Sequence, residues 1–253
     1  MRKEIYEKIT NKRDFSQLPK KDVEKAYSLF ERRQVSEEEK IRLTRDHLRK
    51  VFSAFISKKI LSLKDKEPEW ILRKHISTRE RLPYYNELYS RLLKNFKKIT
   101  IIDLGAGING FSFDFFKRKV TYIGIEAVGQ LVSLMNYYFE KKVLKARAIH
   151  LSLFNLEKIK DFIKKSKKPR IVFLFKTLDS LEMLEKDFSK KLLEEITPLV
   201  NRIVVSFATR SLIKKTKFKV KRKWIVDFIQ ENFKVIDDFE LGGERYIVFE
   251  NNL

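Results

Sequence analysis

From Thr100 onward, short and almost continuously apolar runs alternate with segments of helical periodicity. The clearest runs are TIIDLGAG (100–107), VTYIGIEA (120–127), RIVFLFKTL (170–178) and RIVVSFATR (202–210). Runs of Ile, Val and Phe without polar alternation are typical of parallel strands, because helices cover both faces of a parallel sheet. The alternation of strands and helices therefore predicts a doubly wound α/β domain.

Two further runs, FKVIDDFEL and ERYIVFE, close the sequence and are joined by Gly242 and Gly243. A Gly-Gly pair between two apolar runs favours a two-residue hairpin turn, since both central residues of such a turn have positive φ. We expect an antiparallel hairpin at one end of the sheet.

The part of the chain before Thr100 has a helical pattern instead. KKDVEKAYSLFERR carries apolar residues at helical spacing, and SEEEKIRLTRDHLRKVFSAFI begins with Ser36 and has Glu39 three residues later, which is a capping box. A third helical segment follows Ser77 as its N-cap, or begins at Pro83. We predict a helical domain over residues 1–95 and an α/β domain over residues 96–253.

The charge balance indicates a polyanionic partner. The chain of 253 residues has 56 Lys and Arg against 34 Asp and Glu, a net charge of +22, and more than half of that excess lies in the first 100 residues. Nucleic acid is the first interpretation and an anionic membrane the second.

The absence of cysteine excludes disulfides, thiolate metal sites and cysteine nucleophiles. Three histidines without cysteine make no convincing zinc site, so we expect no metal. The first residues are charged throughout and no apolar stretch reaches the length of a membrane span. These features predict a cytoplasmic protein that does not cross a membrane.

The first strand of the α/β part carries a candidate nucleoside site. In IIDLGAGING, Asp103 lies near the strand end, followed by Gly105, Gly107 and Gly110. Glycines there let the backbone turn sharply and approach a ligand. Glu126, at the end of the second strand, can accept both hydroxyls of a ribose. The alternative is a strand–helix turn that binds nothing.

Five segments carry a resemblance to a known family. The D-x-G-x-G pattern of the first strand is similar to motif I of class I S-adenosylmethionine-dependent methyltransferases. HISTRERL (75–82), FKTLDSLE (175–182) and VSFATRSL (205–212) together resemble the 16S ribosomal RNA guanine-N7 methyltransferases that confer aminoglycoside resistance. DHLRKVFSAFI resembles a helix of that family's ribosome-binding domain, so the resemblance extends over nearly the whole chain.

The resemblance implies a class I, Rossmann-like methyltransferase sheet preceded by a helical rRNA-binding domain. It also implies that S-adenosyl-L-methionine is the methyl donor, and that a monomer methylates a decoding-region guanine at N7 in 16S rRNA of assembled small ribosomal subunits. Arg81 would hold the methionine carboxylate and Glu126 the ribose hydroxyls. The remaining donor-binding residues expected on this basis are His75, Asp103, Gly105, Ala106, Gly107 and Asn109.

The segment after the third strand departs from the family, which often has a polar pair there that contacts the adenine. This chain reads LSLFNLEK instead. We expect Phe154 to stack on the adenine and Asn155 to hydrogen-bond its amine.

The acceptor side of the site is predicted at the ends of the fourth and fifth strands. Lys176, Thr209, Arg210 and Ser211 would face the target nucleotide or its phosphates; for Arg210 the alternative is a structural salt bridge. The basic and aromatic run KKTKFKVKRKW (214–224) would contact RNA, although a solvated loop is the alternative reading. Its candidate contact residues are Lys214, Lys217 and Trp224.

The expected chemistry demands few functional groups. Guanine N7 has a free lone pair and no proton to remove, so no general base is required, and positioning is what remains. Cytosine C5 methylation would need a cysteine nucleophile, which the chain lacks. A non-catalytic rRNA-binding or ribosome-assembly factor that has kept the fold is the alternative function.

Overall fold

The structure, a computed structural model, describes residues 1–53, 65–209 and 222–252. The strands are β1 (Lys98–Leu104), β2 (Lys119–Glu126), β3 (Ala146–His150), β4 (Arg170–Phe175), β5 (Arg202–Ala208), β6 (Phe233–Leu241) and β7 (Glu244–Asn251). The α-helices are α1 (Lys3–Thr10), α2 (Lys20–Glu31), α3 (Glu37–Leu48), α4 (Pro68–Leu72), α5 (Ile76–Arg81), α6 (Tyr85–Leu92), α7 (Gly129–Lys141), α8 (Leu156–Lys165), α9 (Leu178–Leu184), α10 (Phe188–Ile196) and α11 (Lys223–Asn232). A π-helical turn follows α3 (Arg49–Ser53), and 3-10 turns cover Leu82–Tyr84, Asn109–Phe116 and Thr197–Leu199.

The strands form one seven-stranded sheet in the order β3-β2-β1-β4-β5-β7-β6. The five strands from β1 to β5 pair in parallel, whereas β7 runs antiparallel to both β5 and β6. The order reverses between β1 and β4, which is where doubly wound sheets bind ligands at the carboxyl ends of their strands. The predicted α/β class is confirmed.

Burial explains why these apolar runs form the middle of the sheet. Every residue of β4 is buried, and so is every residue of β1 after Lys98. Strands covered by helices on both faces need this composition.

The final hairpin lies at the sheet edge, as predicted. Gly242 and Gly243 have φ values of 63° and 80°, the left-handed region that a two-residue turn requires. Burial alternates along much of the edge strand β6, and its exposed charged side chains protect the open edge against pairing with another chain.

The N-terminal helices follow the sequence pattern with one correction. Ser36 caps α3, and its side chain accepts a hydrogen bond from the Glu39 amide at 3.2 Å, which confirms the N-cap; the Glu39 carboxylate binds Arg42 and does not complete the capping box. Ser77, in contrast, is not an N-cap, because α5 already begins at Ile76. Pro83 has no amide hydrogen to continue that helix, and the chain makes a 3-10 turn there before α6.

The helical half covers the carboxyl ends of β2 and β3. The Gly129 amide, at the start of α7, donates to the Gln17 carbonyl at 3.3 Å. Lys21 Nζ on α2 donates to the Phe154 carbonyl, in the loop after β3, at 2.7 Å. Buried side chains of both halves, from Ile5 to Phe249, belong to one hydrophobic cluster. The N-terminal helices are therefore packed onto the edge of the sheet where a ligand would bind.

No helix within residues 1–53, 65–209 and 222–252 is long and apolar enough to cross a membrane.

Candidate active site

A cavity of about 860 Å³, counting its open mouth, lies at the carboxyl ends of β1, β2 and β4. The residues predicted from the sequence that line it are His75, Arg81, Asp103, Gly105, Ala106, Gly107, Asn109, Glu126 and Lys176. The helical half contributes further lining residues, which are Asp22, Val51, Phe52, Ser77 and Thr78.

Two glycines shape the turn after β1. Gly105 and Gly107 have φ values of 74° and 54°, which favour glycine. A Cβ on Gly105 would lie 2.7 Å from the Thr177 side chain, whose hydroxyl donates to the Leu104 carbonyl at 3.0 Å. A Cβ on Gly107 would meet the His75 ring at an ordinary 3.5 Å. Gly105 is therefore required by space and conformation, and Gly107 by conformation.

Hydrogen bonds of the Asp103 and Asn109 side chains hold this turn in place. Asn109 Nδ2 and the Tyr122 hydroxyl both donate to Asp103 Oδ2, each at 2.8 Å. The Tyr85 hydroxyl donates to Asn109 Oδ1 at 2.8 Å. Burial raises the pKa of Asp103, although the Asn109 and Tyr122 hydrogen bonds oppose that rise. The two side chains thus hold the glycine turn in place at the edge of the cavity.

Glu126 lies at the end of β2 with its carboxylate held by backbone amides. The Gly107 amide donates to Oε2 and the Val128 amide to Oε1, both at 2.8 Å. Burial raises the pKa of Glu126 against the effect of these hydrogen bonds. The carboxylate is therefore oriented before any ligand enters, and its remaining lone pairs can accept the hydroxyls of a ribose.

A second charged group lies on the β4–β5–β7 side of the cavity. Glu244, at the start of β7, is 3.1 Å from Arg81 Nε and 3.2 Å from Lys176 Nζ, and it accepts a hydrogen bond from the Ser206 hydroxyl. Burial would raise the pKa of Glu244, but Arg81 and Lys176 outweigh it and hold the pKa below its ordinary value. Lys176 also pairs with Glu80 at 2.9 Å.

The guanidinium of Arg81 remains charged. Burial disfavours the charge, but Glu244 together with Tyr85 and Tyr246 outweighs burial and raises the pKa of Arg81. Nη1 donates to Asn109 Oδ1 at 3.1 Å, so the guanidinium also supports the glycine turn. A ligand carboxylate would meet a cation whose position is already fixed.

His75 lies next to Gly107 and is 6% exposed. Burial, together with the neighbouring Arg81 and Lys176, lowers the pKa of His75 to about 3. The ring is therefore neutral at physiological pH. His75 is the N-cap residue of α5, but its side chain makes no capping hydrogen bond. The side chain lines the cavity instead.

Lys176 follows β4 with φ 57°, a backbone conformation that non-glycine residues rarely adopt. Its amide donates both to the Ser206 carbonyl and to the Ser206 hydroxyl oxygen, each at 3.1 Å. Strained backbone of this kind concentrates at functional sites. The Lys176 side chain lines the cavity beside Glu244.

The two residues expected to contact the adenine lie outside the cavity. The Phe154 ring packs on Phe188, with ring centroids 4.4 Å apart, and Asn155 Oδ1 accepts a hydrogen bond from Lys21 Nζ at 3.3 Å. Neither lines the cavity, whereas Leu153 does. Lys21 of α2 binds the Asn155 side chain and the Phe154 carbonyl from outside the cavity, and the Phe154 ring is turned toward Phe188.

The predicted acceptor residues are only partly described. The Thr209 hydroxyl donates to Glu240 at 2.8 Å and so faces the hairpin, and Trp224 packs on the hydrophobic core from α11; neither lines the cavity. Arg210, Ser211, Lys214 and Lys217 lie outside the described residues.

Asp22 and Glu244 were missed by sequence reasoning. Asp22 lies one helical turn before the buried Ala26, which places it on the inner face of α2. Helical spacing could therefore have identified it as a buried residue. Glu244 follows the Gly-Gly turn, and nothing in the local pattern distinguishes it from a solvated hairpin residue. Among the residues that the structure describes, no group of three or more acidic or histidine side chains could hold a metal ion.

A family model described as ribosomal RNA methyltransferase (FmrO) matches residues 66–236. The chain belongs to this family. The matched region contains the whole of β1 to β5 and most of the cavity. The predicted family resemblance to rRNA methyltransferases is thereby confirmed.

A curated relative from Proteus mirabilis, named 16S rRNA (guanine(1405)-N(7))-methyltransferase, is 24% identical over 190 residues. The match takes in 70% of this chain and 63% of the relative, less than two thirds of the relative's length.

Solved structures show the same fold over the full length of the chain. The 16S rRNA methyltransferase RmtF, in complex with S-adenosyl-L-homocysteine, matches with a TM-score of 0.81 at 19% identity, and covers 100% of both chains. The 16S rRNA methylase RmtB matches with a TM-score of 0.78 at 17% identity over 98% of each chain. An rRNA methylase from Escherichia coli gives the same TM-score at 18% identity, over 98% of this chain and 100% of that one. The N-terminal helices and the sheet are thus both part of the shared fold.

Proposed function

We propose that this protein transfers a methyl group from S-adenosyl-L-methionine to N7 of a guanine in 16S rRNA. The observation that carries the proposal is the cavity itself: a glycine turn, a pre-oriented carboxylate at the end of β2 and a fixed cation pair meet at the switch point of the sheet in a chain of the rRNA methyltransferase family. A guanine equivalent to position 1405, the position in the name of the Proteus mirabilis relative, is the proposed target.

The cavity fits the donor at three places. Glu126 presents carboxylate oxygens for the ribose hydroxyls, and the backbone at Gly107 leaves room for close approach of a ligand. Arg81 and Lys176, beside their partners Glu244 and Glu80, present charged N–H donors toward the β7 side that suit a carboxylate such as that of methionine. These contacts would hold the nucleoside across β1 and β2 with the methionine end toward β4.

The donor supplies an activated methyl group, which guanine N7 can take through its own lone pair without loss of a proton. The protein's part is then to bind, to orient and to exclude water. Glu126 and the glycine turn fix the nucleoside, and Lys176 lies where β4 ends beside the cavity mouth. Neutral His75 adds no charge that would repel a sulfonium.

The helical residues 1–95 form the proposed rRNA-binding part, and residues 96–253 the donor-binding part. Trp70 on α4 is 39% exposed, and the ammonium groups of Lys74 and Lys66 lie 4.3 and 5.8 Å from its ring centre. An exposed aromatic ring among lysines suits contact with bases and phosphates. Thr209, Trp224 and the basic run 214–224, with Arg210 and Ser211 before it, are proposed to contact the same RNA. We also propose that the enzyme acts in the cytoplasm, as a monomer, on assembled small subunits.

Donor binding is tested by titration calorimetry with S-adenosyl-L-methionine on the wild type and on Glu126→Gln. The variant loses the charged acceptor for the ribose, so its affinity is expected to fall roughly 10-fold or more. Glu157→Gln is the matched control, since that side chain is 83% exposed on α8. Small subunits incubated with wild type and labelled donor should yield labelled 7-methylguanosine. Donor binding without transfer to any small-subunit RNA would favour the non-catalytic factor instead.

A further inference from the structure

Asp22 is a buried carboxylate that lines the cavity. None of the donor contacts expected from the sequence explains its position. It is 3% exposed, and its Oδ2 has no hydrogen-bond partner among the described residues. Ser152 lies near the same carboxyl group and lowers its pKa. An unpaired buried carboxylate oxygen costs free energy unless a donor reaches it. The missing donor is therefore expected on a ligand.

The position of α2 shows which part of a nucleoside Asp22 would face. Lys21, its neighbour, binds the Phe154 carbonyl, so the start of α2 lies on the loop that follows β3. Glu126 ends the adjacent strand β2 and is the proposed ribose acceptor. A nucleoside that extends from the glycine turn across β2 places its base at the end of β3, next to Asp22.

The cavity lining near Asp22 suits a flat base. Leu153, Val128 and Leu131 supply apolar walls there. The loop after β3 brings no polar side chain of its own into this region beyond Ser152, because Asn155 faces Lys21. The cations Arg81 and Lys176 lie on the opposite, β7 side with Glu244, which is the end proposed for the methionine.

We propose that Asp22 accepts a hydrogen bond from the 6-amino group of the donor's adenine, so that a residue of the helical half selects the base. The inference rests on the proposed function, because it assumes an adenosyl donor. Burial raises the pKa of Asp22 to about 6, against the effect of Ser152 and with a further rise from Glu126. At neutral pH the group is still mainly a carboxylate, which can only accept.

The test compares S-adenosyl-L-homocysteine with S-inosyl-L-homocysteine, in which an oxygen replaces the amino group. Wild type is expected to bind the adenosyl compound at least about 10-fold more tightly, because the inosyl oxygen would face a carboxylate. Asp22→Asn can donate to that oxygen as well as accept from the amine, so its preference is expected to fall close to unity. Glu24→Gln, the same change of charge on the same helix outside the cavity, is expected to keep the wild-type ratio.

The possible outcomes distinguish a failure of the proposed role of Asp22 from a failure of the proposed function. An unchanged preference in folded Asp22→Asn overturns the role of Asp22 and leaves the proposed function standing. Equal affinities in wild type overturn it without any variant, even if Asp22→Asn fails to fold. Wild type that binds neither compound contradicts the proposed function itself.

Discussion

At the scale of single residues, the candidate site depends on Gly105 and Glu126, which cannot be replaced by similar amino acids. Gly105 has no room for a Cβ, since Thr177 is itself held by the Leu104 carbonyl. Glu126 is held by two amides that would otherwise be unpaired at the strand end. Local sequence predicted both residues because a glycine turn and a strand-end carboxylate are short-range patterns. The pairing of Glu126 with the Gly107 amide could not be predicted, because the two residues lie 19 positions apart in the sequence.

Gly105→Ala is expected to destabilise the protein more than Gly107→Ala. Both place a Cβ at positive φ, at a cost of about 1–2 kcal/mol. Gly105→Ala adds an overlap with Thr177, and overpacking adds a further cost of about 1–3 kcal/mol. Urea denaturation of the two variants measures the difference, and equal free energies of unfolding would show that Thr177 moves aside freely.

At the scale of elements, one carboxylate joins three parts of the structure. Glu244 on β7 binds Arg81 on α5, Lys176 after β4 and Ser206 on β5. The hairpin is therefore part of the site and not only an edge of the sheet. Apolar runs and the Gly-Gly turn predicted the hairpin itself, since strand formation follows local pattern. The pairing of Glu244 with two buried cations depends on the order of strands, which no local pattern encodes.

Glu244→Gln is expected to lower the free energy of unfolding by about 3–5 kcal/mol, because it leaves two buried cations without their shared partner. Glu250→Gln is the matched control on the same strand. Its partner Arg202 lies at the start of β5, and Glu250 is 35% exposed to solvent that screens the pair, so a loss of about 1 kcal/mol or less is expected. Thermal or urea unfolding of both variants makes the comparison. Similar losses would mean that Glu244 has little electrostatic role.

At the scale of the whole molecule, the two halves predicted from the sequence share one hydrophobic core and one cavity. The helical half adds Asp22, His75 and Arg81 to the site. The change of pattern near residue 97 was visible in the sequence, because helical and strand periodicities differ. The way that α2 covers the carboxyl ends of β2 and β3 was not, since it follows from packing between distant segments.

Stability should depend on pH in opposite directions through two buried groups. The folded pKa of His75, about 3, lies below its ordinary 6.5, so the unfolded chain binds this proton first and stability falls as pH drops from about 7 toward 3. The folded pKa of Asp22, about 6, lies above its ordinary 3.8, so its contribution is greatest at low pH and falls as pH rises through about 4 to 6.

Urea unfolding at several pH values separates the two groups. Wild type relative to His75→Gln should lose about 2–3 kcal/mol between pH 7 and pH 4.5, and relative to Asp22→Asn it should lose about 2–3 kcal/mol between pH 4 and pH 7. His47→Gln, at a half-buried position, serves as the control for removal of a histidine. Parallel curves for His75→Gln and wild type would contradict the buried neutral imidazole.

The most direct test of the central claim is to map the methylated nucleotide. Small ribosomal subunits are incubated with the protein and S-adenosyl-L-methionine, and the 16S rRNA is reduced with borohydride, cleaved with aniline and read by primer extension. The account predicts one donor-dependent stop at the decoding-region guanine equivalent to position 1405, much weaker when Glu126→Gln replaces wild type at a limiting donor concentration. A protein that binds the donor yet leaves every guanine of the small subunit uncleaved would contradict the account.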